Sequence, residues 1–185
     1  MEIVAARHGE TEWSRAGRHT SHTDVALTEA GRRRAAALAS VLSQWSFSLV
    51  LTSPLRRARE TCELAGFGAV AEIVDDVREW EYGEYEGLTT PEIHQFNPGW
   101  NLWRDGCPGG ETPEQVARRA DRVLGRLRSA GGDALVFAHG HILRVAVARW
   151  LGFDAAAGAR FALRAGALSV LGWERETQVL QRWNA

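Results

Sequence analysis

An arginine and a histidine stand side by side near the start of the chain, as Arg7 and His8. The apolar run 3–6 before them predicts a buried strand, and Gly9 predicts the turn that ends it. His8 would then lie at the carboxyl end of a strand, where open α/β sheets hold their ligands. A neutral imidazole there can act as a nucleophile, and a neighbouring guanidinium can bind a phosphate oxygen. The simpler alternative is an Arg-His pair that faces water.

Two further junctions between a predicted strand and a predicted helix carry residues of the same kind. They are the sequence from Ser53 to Arg56 and the sequence from Ala138 to His141, which contains His139 and Gly140. Because parallel strands end at one edge of their sheet, these residues and Arg7 can meet in one crevice. Arginines, histidines and a helix N-terminus together suit a tetrahedral dianion such as phosphate.

A metal site is an alternative interpretation, because His8, His139 and His141 could converge on one ion. No carboxylate shares a junction with these histidines, however, and the arginines would repel a cation. Any one of the three histidines could also be a structural residue with satisfied hydrogen bonds. We expect neither a metal nor another cofactor.

Cleavage of a phosphate ester also needs a proton for the leaving group. The segment 77–87 offers carboxylates among aromatic rings, and a carboxyl group in such surroundings can serve as a general acid near neutral pH. The residue types alone do not choose among its four glutamates, which are Glu79, Glu81, Glu84 and Glu86. An acidic, solvated loop is the alternative.

Length and composition predict one globular domain, 1–185, that buries a core of its own. Hydrophobic residues make up 45% of the chain and charged residues 24%, with a formal net charge of −1. This balance argues against nucleic acid as a partner, because affinity for it rests on a basic surface. All 22 basic residues are arginines, which bind phosphate better than lysines do, so each must be judged by its position.

The two cysteines, Cys62 and Cys107, have neither a CxxC spacing nor a zinc-ligand spacing, which predicts free thiols in a reducing compartment. Met1-Glu2 leads directly into the predicted strand, so we expect no signal peptide, and no apolar stretch reaches membrane-spanning length. These features predict a cytoplasmic protein without a membrane partner. Its expected partner is a small phosphorylated substrate, and a homodimer is an option for its assembly.

Helix and strand signals alternate along the chain. Helices are predicted over 29–45, 54–66, 112–129 and 142–151, and strands over 3–6, 48–52, 71–74, 134–138, 167–174 and 178–183. The stretch 78–110 is expected to be an irregular excursion with one short helix over 91–96. This alternation predicts an α/β three-layer sandwich, with a mainly parallel central sheet and helices on both faces.

The motif Arg7-His8-Gly9-Glu10-Thr11, together with Arg56, segment 78–87 and His139-Gly140, resembles the histidine phosphatase superfamily, the phosphoglycerate-mutase-like group. The resemblance covers nearly the whole chain. It implies the fold of that group and a phosphoric monoester hydrolase without a metal requirement. It makes His8 the nucleophile that becomes phosphohistidine, and Glu79 the proton donor. The residues that it implies around the phosphate are Arg7, Arg56 and His139, and the substrate contacts that it implies are Ser14, Thr20, Ser21, Tyr82 and Gly140.

The segments 78–83, 100–107 and 137–141 are similar to the sedoheptulose-bisphosphatase-like branch of that superfamily, to which broad-range acid phosphatases are also similar. The similarity implies a sugar phosphate or bisphosphate as substrate. The tryptophans of the stretch 97–106 could pack it over the crevice and carry Arg104 inward as a clamp for a second phosphate. The alternative is that Arg104 pairs with Asp105 or another surface acid. Two other functions stay open: phosphoryl transfer of the phosphoglycerate mutase type, and a non-catalytic phosphate-binding regulatory module.

Overall fold

A central sheet of six strands organises the computed structural model, which describes residues 1–185. The strands are β1 (Ile3–Arg7), β2 (Phe47–Thr52), β3 (Glu72–Ile73), β4 (Asp133–Ala138), β5 (Leu168–Glu174) and β6 (Thr177–Arg182). Their spatial order is β3-β2-β4-β1-β5-β6. The first four strands run parallel to one another, and the closing hairpin of β5 and β6 adds two antiparallel pairings. The prediction of an α/β sandwich is confirmed, with a sheet that is mixed rather than purely parallel.

Seven α-helices cover the sheet and fill the excursion. They are α1 (Glu12–Ala16), α2 (Glu29–Leu42), α3 (Arg56–Leu64), α4 (Thr90–Phe96), α5 (Leu102–Asp105), α6 (Pro113–Arg128) and α7 (Gly140–Trp150). Thr28 caps α2 and Thr112 caps α6, and each threonine side chain accepts a backbone N–H of its helix. None of the helices combines the length and apolar character that crossing a membrane requires.

Strand β1 feeds two cores, one on each face of the sheet. Ile3 and Ala5 join the core on the side of α6 and α7, whereas Val4 and Ala6 join the core on the side of α2 and α3. A strand that is buried on both faces has no polar alternation, which explains the continuous apolar run in the sequence.

The register of the parallel strands brings three chain segments to one edge of the sheet. Arg7 pairs with Ala138, and Thr52 pairs with Phe137. The chain leaves each of these strands at the same level, so that the residues following β1, β2 and β4 become neighbours.

The excursion between β3 and α6 is more ordered than its composition predicts. It contains a 3-10 turn, Gly83–Tyr85, and the short helix α5 in addition to the expected α4. Two further 3-10 helices, Asp75–Val77 and Ala155–Arg160, were not expected either. Short helices of this length carry too little periodicity to be recognised in a sequence.

Candidate active site

His8 follows β1 directly, and only 4% of its surface is exposed. Its Nδ1 atom lies 2.7 Å from the carbonyl oxygen of Gly9. A carbonyl oxygen can only accept, so Nδ1 carries the hydrogen and Nε2 keeps its lone pair. A Cβ atom at Gly9 would lie 2.6 Å from the carbonyl oxygen of Gly31, so this close approach to α2 requires glycine.

The charge state of His8 follows from its surroundings. Burial, reinforced by the positive charges of Arg57 and Arg7, holds the pKa of His8 well below its usual range. The imidazole is therefore neutral at physiological pH. A neutral ring with a free Nε2 lone pair is the form that can act as a nucleophile.

His139 lies beside His8, and their ring centroids are 5.1 Å apart. It is completely buried, and its Nε2 atom lies 2.7 Å from the hydroxyl oxygen of Ser53. Burial, followed by the charge of Arg57, also holds the pKa of His139 well below its usual range. Its Nδ1 atom has no hydrogen-bond partner in the protein.

Two arginines approach these histidines. Arg7 donates from Nη1 to the carbonyl oxygen of Leu163. Arg57, only 1% exposed, donates to the carbonyl oxygens of Thr20 at 2.9 Å and Ser21 at 3.1 Å. The Nε atoms of both arginines are buried without a hydrogen-bond partner.

The prediction that Arg56 lines the phosphate pocket is wrong. Its side chain is 55% exposed and lies 4.0 Å from the carboxylate of Glu60 on the surface. Both residues stand in the first turn of α3, whose buried face begins at Arg57 and continues with Ala58 and Thr61. The helical phase turns Arg56 to solvent and Arg57 to the site.

Glu79 is buried at the N-terminus of α7. Its carboxylate accepts the backbone N–H of His141 at 3.0 Å and that of Ile142 at 2.9 Å. It also accepts the N–H of Trp80 at 2.9 Å. The first N–H groups of a helix have no partner within the helix and attract negative charge, so this helix end fixes the orientation of the carboxylate.

A cleft of about 210 Å³ opens at this edge of the sheet. Arg7, His8 and Glu79 line it. Of the substrate contacts expected from the resemblance, those that lie in the cleft are Ser14, Thr20, Tyr82 and Gly140.

Ser21 does not line this cleft. It is buried, and its hydroxyl donates to the carboxylate of Glu86 at 2.6 Å. Its carbonyl oxygen accepts a hydrogen bond from Arg57, so Ser21 helps to hold the Arg57 guanidinium in place.

Tyr82 and His141 form a neutral pair in the wall of the cleft. The phenol oxygen lies 2.6 Å from Nδ1 of His141. Burial raises the pKa of Tyr82 well above its usual range and holds that of His141 well below its usual range. Neither side chain is charged at physiological pH, so they offer hydrogen bonds rather than charge to a ligand.

The expectation that Arg104 reaches the cleft is also wrong. Its side chain is 68% exposed and pairs with Asp105 at 2.6 Å, which is the alternative given above. In the single turn of α5, Leu102 faces the core and Trp103 is half-buried, while the next two residues face solvent. A one-turn helix cannot present four consecutive side chains to the same side.

Sequence reasoning missed other basic residues of the cleft. Arg144 and Arg18 line it, as does His19. One signal could have identified Arg144: it stands four residues after Gly140, so both lie on one face of α7. Arg18 and His19 follow the first motif without a distinctive pattern.

The arrangement suits phosphoryl chemistry. The neutral His8, the guanidinium of Arg7 and the carboxylate of Glu79 line the cleft. His139 and Arg57 are buried beside His8. No group of three or more His, Cys, Asp or Glu side chains is placed to hold a metal ion.

Comparison with known proteins agrees with this geometry. The profile of the histidine phosphatase superfamily (branch 1) matches residues 3–185. An acid phosphatase of Mycobacterium tuberculosis is 40% identical over 182 residues, which cover 96% of this chain and 89% of that protein. The sedoheptulose 1,7-bisphosphatase of Saccharomyces cerevisiae is 36% identical over 183 residues, which cover 80% of this chain and 67% of that protein.

The fold agrees as well. The solved structure of a Mycobacterium tuberculosis open reading frame product superposes with a TM-score of 0.94 at 38% identity, covering 99% of this chain and 96% of that one. Profile, relatives and fold point the same way, and the chain belongs to the histidine phosphatase superfamily (branch 1) as a phosphoric monoester hydrolase.

Proposed function

We propose that this phosphatase hydrolyses small phosphorylated metabolites through a phosphohistidine at His8, without a metal ion. The observation that carries the proposal is a set of three buried nitrogen atoms without a partner: Arg7 Nε, Arg57 Nε and His139 Nδ1. An unsatisfied buried polar group costs about 1–3 kcal/mol. The oxygens of a phosphate dianion would satisfy all three and would match the charge of the guanidiniums.

In the first step, Nε2 of His8 attacks the phosphorus atom. The N–P bond forms as the ester P–O bond breaks, and the electrons of that bond pass to the leaving oxygen. Glu79 enters this step in its protonated form, gives the leaving oxygen its proton and becomes the carboxylate. Arg7 and Arg57 stabilise the charge on the phosphoryl oxygens, and His139 donates from Nδ1 while Nε2 accepts the Ser53 hydroxyl.

In the second step, a water molecule attacks the phosphorus atom of the phosphohistidine. The carboxylate of Glu79 takes a proton from this water, and the N–P bond breaks with its electrons returning to Nε2. Inorganic phosphate leaves, and His8 returns to its neutral form with Nδ1 still bonded to Gly9.

We infer sugar phosphates as the substrate class, including those with a second anionic group. Two relatives described above, an acid phosphatase and a sedoheptulose bisphosphatase, support this inference. Arg144 supports it too, because its side chain is held in place at the cleft. Its Nε and Nη2 donate to the carbonyl oxygens of Gly158 and Ala159 at 3.0 and 3.1 Å, and its guanidinium carbon lies 4.4 Å from the ring centroid of Trp103.

Rapid acid quenching during turnover tests the proposal, with mass spectrometry to locate the acid-labile phosphoryl group. We expect it on His8, and His8→Ala should lose several orders of magnitude in rate. His22→Ala, an exposed histidine outside the cleft, is the control and should keep wild-type activity. A fully active His8→Ala enzyme would contradict the assignment. With a phosphoglycerate as substrate, a phosphoryl group that passes from His8 back to glycerate, and not to water to give free phosphate, would indicate a mutase instead.

We further propose that the protein acts in the cytoplasm. Cys62 and Cys107 are both buried free thiols, and burial raises the pKa of each to about 12, so both stay protonated. Unpaired thiols fit a reducing compartment. Fractionation of the source cells with an antibody against the chain tests this, and recovery outside the cytoplasm would contradict it.

A further inference from the structure

Arg119, on α6, is a buried arginine that the proposed reaction does not use. Each of its five N–H groups has a partner. Nη1 donates to the carbonyl oxygens of Asp76 at 2.7 Å and Arg78 at 3.1 Å. Nη2 donates to the carbonyl oxygen of Glu79 at 3.3 Å. The remaining two donors, on Nε and Nη2, each meet one carboxylate oxygen of Glu111 at 2.7 Å.

Glu111 holds the chain on the other side of Glu79. Its carboxylate accepts the backbone N–H of Glu81 at 3.0 Å, and its own N–H donates to the carbonyl oxygen of Glu81 at 2.9 Å. Its carbonyl oxygen accepts the indole N–H of Trp80 at 2.9 Å. Arg119 and Glu111 therefore hold the chain in place by hydrogen bonds on both sides of Glu79.

The segment 78–82 needs these hydrogen bonds because it belongs to no helix or strand. It runs between the 3-10 turns Asp75–Val77 and Gly83–Tyr85. Without a regular ladder, its backbone groups must find partners elsewhere, and one guanidinium supplies two of them, at Arg78 and Glu79. The carboxylate of Glu79 itself turns away from Arg119 to the first N–H groups of α7.

We propose that Arg119, paired with Glu111, is a positioning residue for the proton donor Glu79. The proposal rests on the proposed function, in which Glu79 protonates the leaving group. Proton transfer requires donor and acceptor within about 2.6–3.2 Å. A displacement of about 1 Å can cost about a hundredfold in rate. Lysine cannot replace Arg119, because its ammonium has three donors and no planar fork to span four residues.

The test compares two substrates that differ in their need for a proton: glucose 6-phosphate, whose alkoxide leaves poorly, and p-nitrophenyl phosphate, whose phenolate leaves readily. Arg119→Lys should lower kcat for the sugar phosphate by about tenfold to a hundredfold with little change in KM. Turnover of the aryl phosphate should stay within about threefold of wild type, since its leaving group needs no acid.

Arg122→Lys is the matched control. Arg122 stands one turn further along α6 and pairs through Nε and Nη2 with the Asp76 carboxylate at 2.9 and 2.6 Å. It donates to no carbonyl oxygen beside Glu79. This variant should leave both substrates at wild-type rates, although it alters the same helix and reaches the same turn.

A double-mutant cycle separates positioning from general destabilisation. The variant Glu79→Gln/Arg119→Lys should be no slower on the sugar phosphate than Glu79→Gln alone, because the donor to be positioned is already gone. Losses that multiply, or an Arg119→Lys loss that is equal on both substrates, would overturn the proposal. Equal losses for Glu79→Gln itself would instead refute the acid role in the proposed function. If Arg119→Lys does not fold, Glu111→Gln takes its place in the same comparison.

Discussion

The carboxylate of Glu79 accepts the backbone N–H of Ile142 at 2.9 Å, across 63 positions of sequence. This bond ties the irregular excursion to the N-terminus of α7, directly after His139. One helix end therefore positions both His139, which precedes it, and the carboxylate of Glu79. The spacing between His8, the proposed nucleophile, and Glu79, the proposed proton donor, therefore depends on the packing of α7 against the sheet.

Arg57 and Arg56 are neighbours in the sequence, and we expect their alanine variants to have opposite effects on activity. Arg57→Ala should reduce kcat by about a hundredfold to a thousandfold, as loss of one transition-state donor does. Arg56→Ala should stay close to wild type, because its side chain lies on the surface. Steady-state kinetics and the Kd for vanadate measure both effects. The reverse order of the two variants would show that the pocket is built from the other arginine.

Glu79→Gln should discriminate between leaving groups. The loss should be large for a sugar phosphate and small for p-nitrophenyl phosphate, because a phenolate leaves without a proton. Glu81→Gln is the control, since Glu81 is exposed and does not line the cleft. A larger loss of activity for Glu81→Gln than for Glu79→Gln would show that Glu79 is the wrong carboxylate for the acid role.

Arg144→Ala should lower kcat/KM for a sugar bisphosphate by about tenfold or more, as removal of a charged clamp from a partly desolvated site does. Small monophosphates should lose little. Arg104→Ala, which removes an exposed arginine, should change neither substrate class. Parallel losses on both classes would argue that Arg144 acts on the reacting phosphate rather than on a second group.

The buried histidines predict how stability depends on pH. His8, His139 and His141 all have pKa values held well below the ordinary 6.5, so between that value and their folded pKa the unfolded chain binds more protons than the folded one. The stability that these neutral histidines contribute to the free energy of unfolding is complete above pH 6.5 and declines as the pH falls below that value. Each histidine can add about 1.4 kcal/mol per pH unit to the slope.

Urea unfolding at pH 7.5, 6.0 and 5.0 measures this slope. His141→Gln should make it shallower, because one titrating group is removed. A free energy of unfolding that is unchanged between pH 7.5 and 5.0 would contradict the prediction.

Local patterns in the sequence identified the strand ends and the chemistry placed on them. The apolar run before Arg7 and the glycine after His8 predicted a strand and its turn. His139 followed from the same pattern at the end of β4. Each of these inferences needs only a few consecutive residues, because strand burial and turn formation are local properties. The choice of Glu79 among four glutamates came from resemblance, and its contacts with α7 depend on residues 62 and 63 positions away in the chain.

Only the tertiary structure decided which of several neighbouring side chains enters the site. Arg56 and Arg57 are adjacent residues of the same type, and the orientation of α3 against the sheet decides which side chain faces solvent and which is buried. Arg104 faces solvent because Leu102 and Trp103 of the same turn are drawn inward, whereas Arg144 is held at the cleft by carbonyl oxygens of a distant 3-10 helix. Orientation of this kind depends on packing between elements, and packing is a property of the whole folded chain rather than of any short stretch of it.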